Sequence, residues 1–172
     1  FYGSANGTAT WNTVRNTGSG GFALYTISAS DSKFINNTVT TDRFNNTFVY
    51  KSFASDNNLF TNNNITTNLG LVMYIHSNSN YNIIENNTIS MTANNNTGVE
   101  CAGPGCAIIG NIITVTLGTG IPIYSMSINQ VYKRNRITST TRTAEAWSSG
   151  QNTTWQDNII TATAGQAFWL AS

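Results

Sequence analysis

The run Asn82-Ile83-Ile84-Glu85-Asn86-Asn87-Thr88-Ile89-Ser90 decides the fold, because its skeleton recurs along the chain. That skeleton is apolar-x-x-Asn-x-apolar-(Thr/Ser), with copies beginning at Phe34, Phe60, Ile84, Ile108, Tyr132 and Trp155. The central residue is Asn37, Asn63, Asn87, Asn111, Asn135 and Asn158, at spacings of 26, 24, 24, 24 and 23. The second apolar position reads Val39, Ile65, Ile89, Ile113, Ile137 and Ile160. The hydroxyl position reads Thr40, Thr66, Ser90, Thr114, Thr138 and Thr161. A weaker seventh copy lies upstream at Ala9, Asn12 and Val14, where Arg15 breaks the hydroxyl position. Agreement at four positions exceeds what an Asn-rich background produces, so the period comes before any other argument about fold.

A second apolar cluster follows each Asn by about ten residues, as in Leu71-Val72-Met73-Tyr74-Ile75 and Ile121-Pro122-Ile123. Polar turn residues separate the clusters, as at Ser52 to Asn58 and Ser148 to Thr153. Each repeat therefore holds several strands of about four to six residues, and nothing has a helical period. So short a unit cannot bury its own apolar face, whereas stacked copies can. The sequence predicts an all-β parallel solenoid of about seven coils, each of ~24 residues, forming a single domain over residues 1–172. Residues 1–31 are expected to form an irregular first coil and residues 32–172 the regular ones. The Asn positions predict a ladder of side-chain amides at corners, stacked every 4.7–4.9 Å or so, with the Asn itself taking the left-handed backbone that this residue tolerates. Alternation from the second apolar position turns the hydroxyl residue and the one two later outward, giving pairs such as Thr114/Thr116. The residue between them (Thr41, Thr67, Met91, Val115, Ser139, Ala162) faces inward.

With those residues in view, the repeat resembles the right-handed parallel β-helix of the pectate-lyase-like superfamily, especially its Asn-rich NosD-like branch. The stretch from Asn82 to Ser90 and Phe60-Thr61-Asn62-Asn63-Asn64-Ile65-Thr66 carry the likeness best, and it covers about residues 8 to 172. The resemblance implies the fold and leaves activity open, since members include polysaccharide lyases and hydrolases, epimerases, adhesins and surface proteins.

Composition narrows the classes. Of 172 residues, 26 are Asn and 26 Thr, while only 15 carry a formal charge (8 basic, 7 acidic), for a net charge of +1. There is no basic excess to neutralise phosphates, so nucleic-acid binding is excluded as a reading. No apolar run approaches the roughly 20 residues that span a bilayer, so no membrane insertion is expected. Seven Asn-x-Thr acceptor sequences stand at Asn6, Asn36, Asn45, Asn64, Asn86, Asn95 and Asn152. They are candidates for N-glycosylation if the chain is secreted, although its composition also produces such triplets by chance. Cys101 and Cys106 enclose Ala102-Gly103-Pro104-Gly105, a tight reversal. Two Cys without further ligands do not make a zinc site. They read as a local disulfide, which would place the chain in an oxidising exterior, with two reduced thiols as the alternative.

Catalytic candidates do not assemble. The acids are Asp31, Asp42, Asp56, Glu85, Glu100, Glu145 and Asp157; on the repeat they scatter, and Asp31 with Asp56 is the one adjacent pair at equivalent corners. His76 reads as a solvated loop residue. Lys133, Arg134, Arg136 and Arg142 read as a solvated basic patch, and Tyr124, Trp147, Trp155 and Trp169 as core rather than sugar-stacking rings. The expectation is no catalytic, cofactor or metal site. Both ends of such a solenoid carry open strand edges, and no amphipathic helix is visible to cap them. The chain is either a fragment or covered at its ends by copies of itself, head to tail. The reading is a secreted, cell-surface structural protein assembling into a fibre, sheath or coat, with glycans as a further possible partner. A carbohydrate-binding or polysaccharide-degrading β-helix is the alternative, and an ice-binding solenoid the third.

Overall fold

Every coil of the chain lays down three short strands in the same order, as in Ile83–Glu85, Thr88–Met91 and Thr97–Cys101. The structure is a computed structural model that describes residues 3, 5–17, 22–41, 48–68, 71–92, 97–116, 121–140, 146–163 and 167–170. All described strands fall into three seven-stranded sheets, and every strand pairs in parallel with its equivalent one coil away. No helix is present among the described residues. The protein is a parallel β-solenoid, as the repeat predicts.

The register follows the repeat. In the first sheet Ala9, Phe34, Phe60, Ile84, Ile108, Tyr132 and Trp155 stand in one column. In the second, Val14, Val39, Ile65, Ile89, Ile113, Ile137 and Ile160 do the same. Like side chains therefore stack on like: the rings of Phe34 and Phe60 lie 4.8 Å apart, and those of Tyr132 and Trp155 lie 4.2 Å apart. The first coil pairs in register with the second in all three sheets, so Ala9, Asn12 and Val14 belong to the solenoid despite Arg15.

Inward and outward positions on the second sheet alternate as expected. Thr41, Thr67, Met91, Val115 and Ser139 are buried, whereas Asn68, Thr116, Thr140 and Thr163 are exposed. Asp42, in the outward set, lies outside the described residues. Where the interior column is polar its hydroxyls pair with each other, as Thr41 Oγ1 does with Thr67 Oγ1 at 2.8 Å. That leaves the described core largely free of unpaired polar atoms.

Candidate functional site

Between the first and second sheets the chain bends at one residue per coil: Trp11, Asn36, Asn62, Asn86, Gly110, Arg134 and Asp157, with φ between 53° and 64°. This corrects the expected geometry of the ladder. The left-handed residue is the one before the ladder Asn, not the ladder Asn itself. The bend turns the next side chain inward, and that position is filled by Asn for its amide rather than for its backbone.

Inside the bend the amides form an unbroken column. Asn37 gives its backbone N–H and one Nδ2 hydrogen to Asn63 Oδ1, at 2.9 and 3.0 Å. The pattern repeats from Asn63 to Asn87, Asn87 to Asn111, Asn111 to Asn135 and Asn135 to Asn158. Each second Nδ2 hydrogen goes to a main-chain carbonyl of the preceding coil, as Asn111 to Ile84 and Asn135 to Ile108. An amide has two donors and two acceptor sites, and here all four are used. Asn12 joins at the top of the column, donating to Asn37 Oδ1 through both nitrogens.

The column has a direction: every amide-to-amide bond is donated to the Oδ1 of the following coil. At its ends the pattern is incomplete among the described residues. Asn12 Oδ1 receives no donor, and the Asn158 N–H and one Nδ2 hydrogen have no following Oδ1, although Asn158 still donates back to the Tyr132 carbonyl. Beside Asn158 lies an open recess of about 390 Å³ lined by Trp155, Gln156, Asp157, Asn158, Ile160 and Phe168. Its floor is the exposed end of the core, where Trp155 and Phe168 meet edge to face at 4.7 Å. Trp155 Nε1 is buried there without a partner among the described residues.

The turns between the third and first sheets are expected from the sequence, but the inward column behind them is not. Asn6, Asp31, Asn57, Tyr81, Gly105, Asn129 and Asn152 have φ between 54° and 70°. Behind the bend, Ser32 N–H donates to Asn58 Oδ1 at 2.9 Å and Asn58 N–H to Asn82 Oδ1 at 3.0 Å. The column then changes chemistry at Cys106 and Gln130. Cys106 is bonded to Cys101, both wholly buried, with Cα atoms 6.3 Å apart. Gln130 closes the next coil: its Nε2 donates to the Cys101 carbonyl at 2.9 Å, and its Oε1 accepts from Tyr132 and Ser125. Only the changing residue type hid this column, since the spacing is as regular as that of the ladder.

The acids do not converge. Lys33 pairs in register with Leu59, which aligns Asp31 with Asn57 and Asp56 with Ser30. The expected equivalence of Asp31 and Asp56 is therefore off by one residue. Asp56 instead accepts from the Asn80 N–H at 2.6 Å, an ordinary turn contact. Among the described residues no three His, Cys, Asp or Glu side chains gather closely enough to hold a metal. Arg142 and Glu145 lie outside the described residues.

Two expectations are corrected on the third sheet. His76 does lie in the loop just after the strand and is partly exposed, but its ring also contacts Phe53 at 4.5 Å and Tyr74 at 5.8 Å, so it is less solvated than expected. Tyr124 lies between buried Ile123 and Ser125, which places it on the outer face rather than in the core. Trp155 does pack against the core, while the side chains of Trp147 and Trp169 lie outside the described set. Of the Asn-x-Thr sites, Asn6, Asn64, Asn86 and Asn152 are exposed and Asn36 is half-buried; Asn45 and Asn95 lie outside the described residues.

Comparison of the chain with protein-family models, with curated proteins and with solved structures finds no match.

Proposed function

We propose that the chain is an extracellular structural β-solenoid whose copies join head to tail into a cell-surface fibre, sheath or coat. The observation that carries this reading is the polarity of the Asn column. The donors of Asn158 and the acceptor of Asn12 are the two halves of the contact that Asn135 makes with Asn158. A second copy stacked on the last coil would continue the ladder and all three sheets, and it would cover the core end at Trp155. The contact is heterologous, so it propagates rather than closing on a pair. The buried disulfide and four exposed Asn-x-Thr sites support an exterior location.

Electron microscopy across a concentration series tests the reading. Filaments, tubes or rings are expected, and Asn158→Asp should reduce them at least tenfold by setting a carboxylate against Asn12 Oδ1. Discrete monomers at high concentration would overturn it.

One observation favours a second reading, an ice-binding face on the second sheet. Thr116, Thr140 and Thr163 each spend their hydroxyl proton on a main-chain carbonyl, at 3.2, 2.8 and 3.4 Å. Their oxygens are thereby fixed in a repeating row. Thermal hysteresis in solution would favour this reading, and its absence would remove it.

A further inference from the structure

The outer face of the third sheet carries a seven-position row, ending at Trp147 and Trp169, whose first five positions mirror one another. In register along the solenoid stand Tyr25, Lys51, Tyr74, Glu100 and Tyr124. Two residues further along each strand are Ile27, Phe53, His76, Ala102 and Met126. The described members of both rows are at least partly exposed, and Met126 is 45% exposed. Lys51 and Glu100 are the only Lys, Arg, Asp or Glu residues in these two rows, and their register positions lie one coil either side of Tyr74.

We propose that this face is a two-fold docking surface for a second copy of the chain, laid face to face with its solenoid axis reversed and Tyr74 on the symmetry axis. That operation sets the register position of Lys51 opposite Glu100 of the second copy, and Glu100 opposite the position of its Lys51. Tyr25 then meets Tyr124. In the next row Phe53 faces the small Ala102, Ile27 faces Met126, and His76 faces itself. A two-fold contact requires a self-complementary patch, and this row is one in both charge and size. Packed sheets lie about 10 Å apart, a gap that a Lys and a Glu can bridge from opposite sides. Five register positions span only about 19 Å at 4.8 Å each, so the pair alone is weak and gains from repetition. If copies also join end to end, which rests on the reading above, the same operation sets the register position of Trp147 opposite that of Trp169. An elongated polysaccharide is the other ligand an aromatic row could take, but it would not require opposite charges placed symmetrically about one tyrosine.

Tyr74→Cys tests the contact directly. Cys101 and Cys106 are buried and bonded to each other, so the introduced thiol is the accessible one. Because facing Cα atoms about 10 Å apart are too distant for a disulfide, a bis-maleimide linker of about that length should give a covalent dimer on a denaturing gel. End-to-end joining separates equivalent residues by at least the seven described coils, about 33 Å, and cannot form this link. Adding Lys51→Glu should reduce the dimer at least tenfold, and Lys51→Glu with Glu100→Lys should restore it. Circular dichroism checks that each variant is folded. Absence of the dimer, failure of the double swap to rescue it, or protection of the introduced thiol by an added polysaccharide instead would overturn the proposal.

Discussion

Asn111 hands both its backbone N–H and one side-chain hydrogen to Oδ1 of Asn135, at 2.9 and 3.1 Å, in the centre of the solenoid. Its own Oδ1 takes the same two donors from Asn87. Asn111→Ala would orphan those donors and the Ile84 carbonyl together, in a wholly buried site. Each buried unsatisfied group costs about 1–3 kcal/mol, so a loss of about 3 kcal/mol or more is expected in urea unfolding. Asn12→Ala, at the exposed end of the column, should cost less than about 1 kcal/mol by the same reasoning. Equal losses at the two positions would contradict the ladder.

The left-handed corner makes a different demand. Gly110 has φ +64°, and a Cβ there would come within 2.6 Å of Asn86 Oδ1. Gly110→Ala should therefore lower stability by about 1–2 kcal/mol, the cost of holding an L-residue in that region. Arg134 occupies the equivalent corner one coil later, at φ 54°, with its side chain exposed. Arg134→Asn should raise the melting temperature slightly. A fall at Arg134 would mean that its guanidinium, not its backbone, matters to the corner.

The Cys101–Cys106 bridge lies inside the coil with both residues at 0% exposure. Reductant should leave it intact in native buffer and open it only as the chain unfolds in urea, as followed by thiol alkylation and mass spectrometry. For so short a loop, Cys106→Ser should cost about 2 kcal/mol. Rapid reduction of the folded protein would show that this turn opens independently of the rest.

Glu100 sets the pH dependence on the third sheet. Burial holds its carboxyl above the usual value of 4.5. Burial first, and then the Glu100 charge, hold the Tyr74 and Tyr124 phenols up as well. An acid with a raised folded pKa keeps its proton better folded than unfolded. Its contribution is therefore fully present below 4.5 and is lost as pH rises through the folded value. Glu100→Gln should gain melting temperature relative to the parent across that window and differ little below it. Parallel pH profiles would place the cost of Glu100 elsewhere.

Much of the fold was legible because the repeat writes its inward positions in like residues. The columns of Ile at 84, 108, 65, 89, 113 and 137 and of Asn at 37 to 158 keep their chemistry from coil to coil. Cross-coil stacking rewards that identity directly. The inward column behind the second corner was hidden because Ser32, Asn58, Asn82, Cys106 and Gln130 solve one problem with four side-chain types. Asp31 and Asp56 looked equivalent because a one-residue difference in register is invisible without the hydrogen bonds of the sheet.

By itself the sequence determined the period, the sheet parity beside each ladder Asn and the solenoid that follows, since these rest on alternation over a few residues. The tertiary structure decided which residues share the outer face of the third sheet. From each ladder Asn to that row the offset is 13, 14, 11, 13, 13, 12 and 11 residues, from Asn12 with Tyr25 to Asn158 with Trp169. A one-residue change in the connecting segment turns a strand's side chains to the opposite face. Parity is therefore lost between the second and third sheets, and only the inter-strand hydrogen bonds restore it. They alone bring Lys51, Tyr74 and Glu100 into line.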